Sequence, residues 1–420
     1  MIYAIDFGTS NSLLGAAVNG QAVSPIPLDP FAKDPSILRS VLFFPDRHKA
    51  YFGAEAIQEF VKHDMEGRFV RSIKKFLPIR SFTGTQVGGR TLSLEEIIAT
   101  FLGELRRRAN AHFKADGDAV LLGRPAKFAP NPADDQLAQD RLETAARMAG
   151  FKHVAFCPEP VAAAYDFKNR LEKEKLLLVA DFGGGTSDFT VVKLSAGEYS
   201  PRDVLSIGGV ALAGDAFDGS IMRKRIAAHF GADVQYMAPF GDNVLTMPRY
   251  LMEKICSPAD ISLLRDRDTM EFFRQVQGWS LGENDRTHID NLFHLINEQM
   301  GFELFEEIER TKRQLSKASP ELFHFRHSGI EIKEEITRPQ FDEYSELVVS
   351  RILSALDATL AEAGVTPDQI DLVAATGGTA RVPALHGGLV KRFGLEKIQE
   401  GNHFHSIVHG LVQMAAEGKF

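Results

Sequence analysis

Apolar runs broken by glycine open the chain and return in its second half. Ile2-Tyr3-Ala4-Ile5 and Leu176-Leu177-Leu178-Val179 each read as a buried strand. Ser12–Val18 reads as the next strand. Asn19-Gly20 is a pair favoured in type I′ turns, and Gln21–Ile26 reads as the returning strand. Ser93-Leu94-Glu95-Glu96 has capping-box spacing. Ile97, Ile98, Phe101, Leu102 and Leu105 share one helical face, so a core-facing helix is predicted to about residue 114. Ala119–Leu122 reads as a strand and residues 133–149 as an amphipathic helix ended by Gly150. The second half predicts strands at 176–180 and 189–193, a helix at about 216–229, and a strand over Asp371–Ala375. Residues 39–92 and 231–300 mix short apolar runs with charges and read as insertions rather than linkers.

After the first strand of each half the same chemistry follows. Asp6-Phe7-Gly8-Thr9-Ser10-Asn11-Ser12 is matched by Asp181-Phe182-Gly183-Gly184-Gly185-Thr186-Ser187-Asp188. An acidic residue ends the strand, glycine turns the chain, and hydroxyls follow. Glycine admits an anion close to the backbone, and successive N–H groups in a turn form an anion nest. A carboxylate beside that nest repels a bare phosphate, but not one that brings a divalent cation. Mg²⁺ is commonly held in this way, through waters and phosphates. Two such loops imply two similar lobes gripping one polyphosphate.

Bulk properties narrow the class. The 420 residues, 44% hydrophobic and 25% charged, read as an ordinary globular protein with room for several compact units. A net charge of −8 argues against broad nucleic-acid or anionic-membrane affinity. Cys157 and Cys256 give neither a disulfide framework nor metal-ligand spacing, and read as incidental or buried thiols. No run reaches transmembrane length, and strand and loop begin at once, so no signal peptide and a cytoplasmic location are expected.

Three further constellations carry candidate chemistry. In Cys157-Pro158-Glu159-Pro160-Val161-Ala162-Ala163-Ala164, proline suits a first helical turn and the alanines permit close packing. Glu159 is then a contact to metal-bound water, or merely a partner for the helix dipole. In Glu309-Arg310-Thr311-Lys312-Arg313-Gln314-Leu315-Ser316, positions 309, 312, 313 and 316 lie on one helical stripe beside apolar Leu304, Ile308 and Leu315. Glu and Ser suit ribose hydroxyls and Arg can stack on a purine; a solvated charged face is the alternative. Thr376-Gly377-Gly378-Thr379-Ala380-Arg381-Val382-Pro383 follows a strand, and its glycines can pass close to a flat base or simply turn the chain.

The order of these segments resembles that of the actin-like ATPase superfamily, and within it the nucleotide-binding domain of Hsp70 chaperones. The likeness runs over nearly the whole chain, is weakest at 231–300, and is closest to the short bacterial Hsp70-like proteins of the YegD type. Glu159-Pro160-Val161-Ala162-Ala163-Ala164 resembles Hsp70 Glu-Pro-Thr-Ala-Ala-Ala. The segment 309–316 resembles Glu-Arg-Ala-Lys-Arg-Thr-Leu-Ser, and 377–383 resembles Gly-Gly-Ser-Thr-Arg-Ile-Pro. The resemblance implies an α/β, two-lobed fold of duplicated ribonuclease H-like domains with inserted subdomains. Lobe I would be 1–172 with 396–420 (insertion about 39–111), and lobe II 173–395 (insertion about 216–314). It implies ATP/ADP and Mg²⁺ as ligands. Asp6 and Asp181 would hold the metal shell and attacking water, with Glu159 touching metal water and coupling the lobes. Gly8, Thr9, Ser10, Gly183, Gly184, Gly185 and Thr186 would bind phosphates. Lys74, in Ser72-Ile73-Lys74-Lys75-Phe76-Leu77, matches the family's catalytic lysine, with Lys75 its competitor. Glu309, Lys312, Arg313 and Ser316 would hold ribose and adenine, with Gly377, Gly378 and Arg381 below the base.

Departures bear on function. The family's Asn-Pro-Asp-Glu segment stands here as Asn402-His403-Phe404-His405, Asn11 replaces a tyrosine, and Ala213-Gly214-Asp215-Ala216 replaces Gly-Gly-Glu-Asp. The short stretch after Arg381 leads to the expectation that no peptide-binding domain is present. His403, His405 and His409 are expected to flank the closing helix rather than bind metal, and Arg106-Arg107-Arg108 to be a solvated face. The expected function is a slow Mg-dependent ATPase working as a nucleotide-gated switch in protein quality control. Its protein partners, co-chaperone or client, are not readable, and neither nucleic acid nor membrane is expected. An actin-like ATP-dependent assembly protein and a small-molecule kinase on the same fold are the alternatives.

Overall fold

The computed structural model describes residues 1–23, 25–63, 66–168, 174–194, 203–239, 241–258, 260–298, 300–327, 329–400 and 405–419. These residues divide into two compact units. One comprises Met1–Gly214, Ser350–Arg381 and Leu385–Phe420, and the other Asp215–Val349 with Val382–Ala384.

The first unit holds two sheets of the same topology. In one, Ile2–Phe7 lies between antiparallel Asn11–Val18 and parallel Ala119–Arg124, with Gln21–Val23 and His153–Pro158 outermost. In the other, Lys175–Phe182 lies between antiparallel Ser187–Leu194 and parallel Leu372–Thr376, with Val204–Val210 and Ile398–Glu400 outermost. The central strands are apolar because both sheet faces are covered. Ile398–Glu400 pairs with Leu372–Thr376 at the edge of the second sheet. Helices Glu159–Lys168 and Ser406–Glu417 pack together in a core that also contains Ala4, Leu13 and Leu121 of one sheet and Leu177, Val179 and Ala374 of the other.

Local signals explain several elements. Asn19 and Gly20 both have positive φ (51° and 74°), as a type I′ turn requires. The capping box of Ser93 and Glu96 forms and starts helix Leu94–Phe113. Helix Pro132–Met148 is followed by Gly150 at φ 96°. Two expectations are refined. The strand expected over Gln21–Ile26 is described over Gln21–Val23; Ser24 lies outside the described residues, Pro25 has no N–H to offer a ladder, and Ile26 N donates to Leu14 O at 3.0 Å. The helix expected at 216–229 is present over 214–230 but changes its winding: Gly214–Ile221 is α-helical, Met222–Ile226 a π turn and Ala227–Phe230 a 3₁₀ turn. Gly219 lies against a neighbouring backbone there, since a Cβ on it would stand 2.7 Å from the Cys256 carbonyl oxygen. A π turn re-aims a helix without ending it.

The second unit contains the insertion read at 231–300. Helices Arg249–Ile255, Arg267–Trp279 and Asp285–Asn297 bury Leu251, Phe273 and Leu292, and the hairpin Glu321–His327 with Ile330–Ile336 follows helix Gly301–Leu315. Among the described residues no helix is long and apolar enough to cross a membrane.

Candidate functional site

Both glycine loops are tight hairpins closed in the same way. Gly8 N donates to Asn11 O at 3.0 Å, and Gly183 N to Thr186 O at 2.9 Å. A Cβ on Gly8 would lie 2.3 Å from Asn11 O, so the turn requires glycine. The loops face each other within the first unit, since a Cβ on Gly185 would lie 3.4 Å from Thr9 Oγ1. Each is tied from behind. Ser40 Oγ donates to Gly8 O at 2.7 Å and Ser40 N to Ser10 O at 2.9 Å. Thr379 Oγ1 and Gly214 N donate to Gly183 O at 2.9 and 3.2 Å. The loop residues Gly8, Thr9, Gly183, Gly184, Gly185 and Thr186 stay half-buried and Ser10 is exposed, so phosphate-sized groups have access.

Buried charge lies next to these loops. Asp6, Lys74, Glu159, Asp181 and Asp188 are all buried. Ser72 takes a left-handed backbone (φ 53°), and the 3₁₀ turn Ile73–Phe76 that follows buries Lys74 while Lys75 stays half-buried. Lys74 Nζ donates to Glu159 Oε1 at 2.6 Å. Glu159 Oε1 is thus held by the lysine. Asp181 Oδ1 accepts from Thr376 Oγ1 at 2.5 Å. Asp188 Oδ1 accepts from Ala126 N at 3.2 Å, while its buried Oδ2 has no hydrogen-bond partner among the described residues.

This arrangement places four carboxylates around one ammonium. Burial, with the Glu159 charge next, pushes Asp181 up to about 6 and Asp188 up to about 8. The same two causes, with Asp181 adding and Lys74 opposing, hold Asp6 well above the usual carboxylate range. A cation would offset that excess, and the free Asp188 oxygen supports the fit. Among the described residues no three His, Cys, Asp or Glu side chains are placed to ligate one ion directly. Sequence reasoning gave Asp188 no role. The signal was an acidic residue within an apolar strand, in register with Asp181.

The candidate purine residues fall in both units. In the second, Lys312 Nζ pairs with buried Asp218 at 2.8 Å, while Arg313 is exposed and lies 3.8 Å from Glu309. Ser316 caps the helix end, its Oγ donating to Lys312 O at 3.3 Å. The single charged stripe is thus split between a buried pair and a solvated one. In the first unit, Gly377 has φ 82° and a Cβ there would stand 2.0 Å from Phe182 O, while Gly378 and Arg381 are exposed on a 3₁₀ turn.

A family model described as Hsp70 protein matches residues 47–237 and 287–413. The chain belongs to the Hsp70 family. A chaperone protein HscA homolog of Shewanella putrefaciens is 25% identical over 413 residues, which are 93% of this chain and 54% of that protein. The chain thus spans about half the length of that curated relative. The mixed α/β architecture and the Hsp70 match together fit the actin-like ATPase fold. The Hsp70 match takes in Lys74, Glu159 and the second loop but starts after Asp6, so the equivalence of the first loop rests on its geometry.

Other candidates resolve within this Hsp70 framework. Cys157 and Cys256 are buried free thiols, pushed up to about 12 and about 11 chiefly by burial, and are therefore unreactive. His405 and His409 stack with ring centroids 6.0 Å apart at the start of the closing helix, and His405 Nε2 lies 2.9 Å from Ser36 Oγ. Asn402, His403 and Phe404 lie outside the described residues. Of the arginine run only Arg107 is a solvated side chain. Arg106 bonds Gly117 O at 2.8 Å over the Phe151 ring, and Arg108 reaches Leu28 O and Glu104.

Proposed function

We propose that this chain binds ATP with Mg²⁺ between its two glycine loops, hydrolyses it slowly, and serves as a nucleotide-gated switch. The observation that carries this reading is the pair of identically closed loops facing each other beside a buried cluster of excess negative charge. Asp6 and Asp181, with Asp188 beside them, would hold the metal's water shell, and Mg²⁺ when bound supplies charge neutralisation at the phosphates. The backbone of Gly8–Ser10 and Gly183–Thr186 orients the polyphosphate. Lys74 carries an ammonium into the same pocket, held by Glu159 against drift. Phosphoryl transfer to water depends on such positioning and charge stabilisation more than on covalent help. Glu309, Lys312, Arg313 and Ser316, with Gly377, Gly378 and Arg381, are the proposed adenosine contacts. The lobes 1–172 with 396–420 and 173–395, and the likeness to YegD-type proteins, belong to the same reading. No feature of the described residues favours the kinase or assembly alternatives.

Lys74 is expected to act in hydrolysis more than in binding. Lys74→Ala should bind ATP while losing at least about tenfold in single-turnover rate, or 1.4 kcal/mol. Lys75→Ala should run normally. The reverse pattern would show that the wrong lysine has been assigned.

Peptide capture is read as lying outside these 420 residues. A labelled extended hydrophobic peptide is expected to give no nucleotide-dependent anisotropy change with this chain. Binding at about micromolar affinity that differs between ATP and ADP would overturn that part of the reading.

A further inference from the structure

Lys74 sits on a short irregular segment, and something must fix where its ammonium ends up. Around the 3₁₀ turn Ile73–Phe76, backbone bonds run from Lys75 N to Ser72 O, Leu77 N to Lys74 O, Ile79 N to Phe76 O and Phe82 N to Ile79 O. Phe76 O and Ile79 O thus have backbone donors, but Leu77 O has none among these, and Leu77 is buried, so its carbonyl left unmet would cost on the order of 1–3 kcal/mol. Helix Pro132–Met148 supplies that donor and brings it to the two neighbouring carbonyls as well. Arg141 Nη1 lies 3.0 Å from Ile79 O, 3.2 Å from Leu77 O and 3.4 Å from Phe76 O. Its Nε lies 3.3 Å from Glu95 Oε1 on helix Leu94–Phe113, and the side chain is only 12% exposed. The guanidinium is thus fixed by a carboxylate on one side and gathers three carbonyls on the other, a fork that a lysine cannot reproduce.

We propose that Arg141 is the positioning residue that sets the Lys74 ammonium against Glu159, by gathering the carbonyls that end the turn carrying Lys74. The proposal rests on the reading of Lys74 as the hydrolytic lysine. Arg141 is one helix removed from the loops and touches no phosphate-binding residue among its described contacts. Its loss should therefore change how well Lys74 acts and leave nucleotide affinity alone.

The test compares wild type, Lys74→Ala, Arg141→Met, Arg141→Lys and the double variant Lys74→Ala/Arg141→Met of the 420-residue chain. It measures ATP affinity, single-turnover hydrolysis and amide hydrogen exchange over residues 72–80. Arg141→Met is expected to run about tenfold slower with ATP affinity within about twofold, and to exchange faster at Leu77 and Ile79. In the Lys74→Ala background the same change should cost less than about twofold, because Lys74 is its only route to the reaction. Should Arg141→Met fail to fold, Arg141→Lys keeps the charge opposite Glu95 and should show the same slowing. A full rate in either single variant, or a double variant slowed by the product of the single effects, would overturn the proposal. If wild type does not hydrolyse ATP, or Lys74→Ala runs at the wild-type rate, the functional reading fails instead. Unchanged exchange at Leu77 and Ile79 in Arg141→Met then still overturns the role given to Arg141.

Discussion

Asp181→Asn is expected to weaken Mg²⁺-dependent ATP binding by about 100-fold, or roughly 3 kcal/mol, while leaving the nucleotide-free protein at least as stable at pH 8. The two effects have opposite signs for one reason. Asp181 is buried beside Glu159, and both facts disfavour its charged form, lifting it to about 6. A group whose folded value is raised contributes stability that is complete below its ordinary value and is lost as pH rises through the folded one. Above about pH 6 the native carboxylate is therefore a cost until a cation neutralises it. Asparagine keeps the shape and the bond from Thr376 without the charge. Thermal unfolding at pH 5 and pH 8, together with titrations of ATP in Mg²⁺, measures both effects. A variant that is destabilised at pH 8 and binds Mg²⁺-ATP normally would show that Asp181 is a structural carboxylate only.

Gly410→Val should unfold or strongly destabilise the chain, by about 3 kcal/mol or more. Helices Glu159–Lys168 and Ser406–Glu417 meet where a Cβ on Gly410 would stand 1.7 Å from the Ala162 carbonyl oxygen. Backbone cannot yield there as a flexible side chain would. Ala162, Ala163 and Ala164 are fully buried on the facing helix, so the pair is close because both sides are small. Since this core includes residues of both sheets, separating the helices should also disturb the strands that carry the loops. Denaturant unfolding with coincident far-UV and fluorescence transitions measures the loss. A midpoint equal to wild type would contradict the packing.

What was legible in the sequence was local. The two loops could be read because strand, acid, glycine and hydroxyl follow one another within a few residues, and the type I′ turn and capping box for the same reason. Pairings set by tertiary contact were less so. Lys74 and Glu159 are far apart in the chain, and only the fold brings ammonium and carboxylate to 2.6 Å. Asp188 was visible as a letter, but its burial comes from the sheet around it and from Ala126. The stripe 309–316 has correct helical spacing, yet periodicity says nothing of Asp218, which buries Lys312 and leaves Arg313 outside. The helix at 216–229 was legible as a helix, but its change to π and 3₁₀ winding after Ile221 carries no signal in the composition. Arg141 had no motif at all; its importance lies in carbonyls of a turn on another part of the chain.

The account stands most directly on equilibrium binding of ATP to the wild-type chain, by calorimetry, in Mg²⁺ and again in EDTA. Saturable one-to-one binding in Mg²⁺ that weakens by at least about tenfold in EDTA, a difference of 1.4 kcal/mol, is the predicted result. Equal affinity in both conditions, or no binding in either, would contradict a cation-dependent polyphosphate site between the two loops.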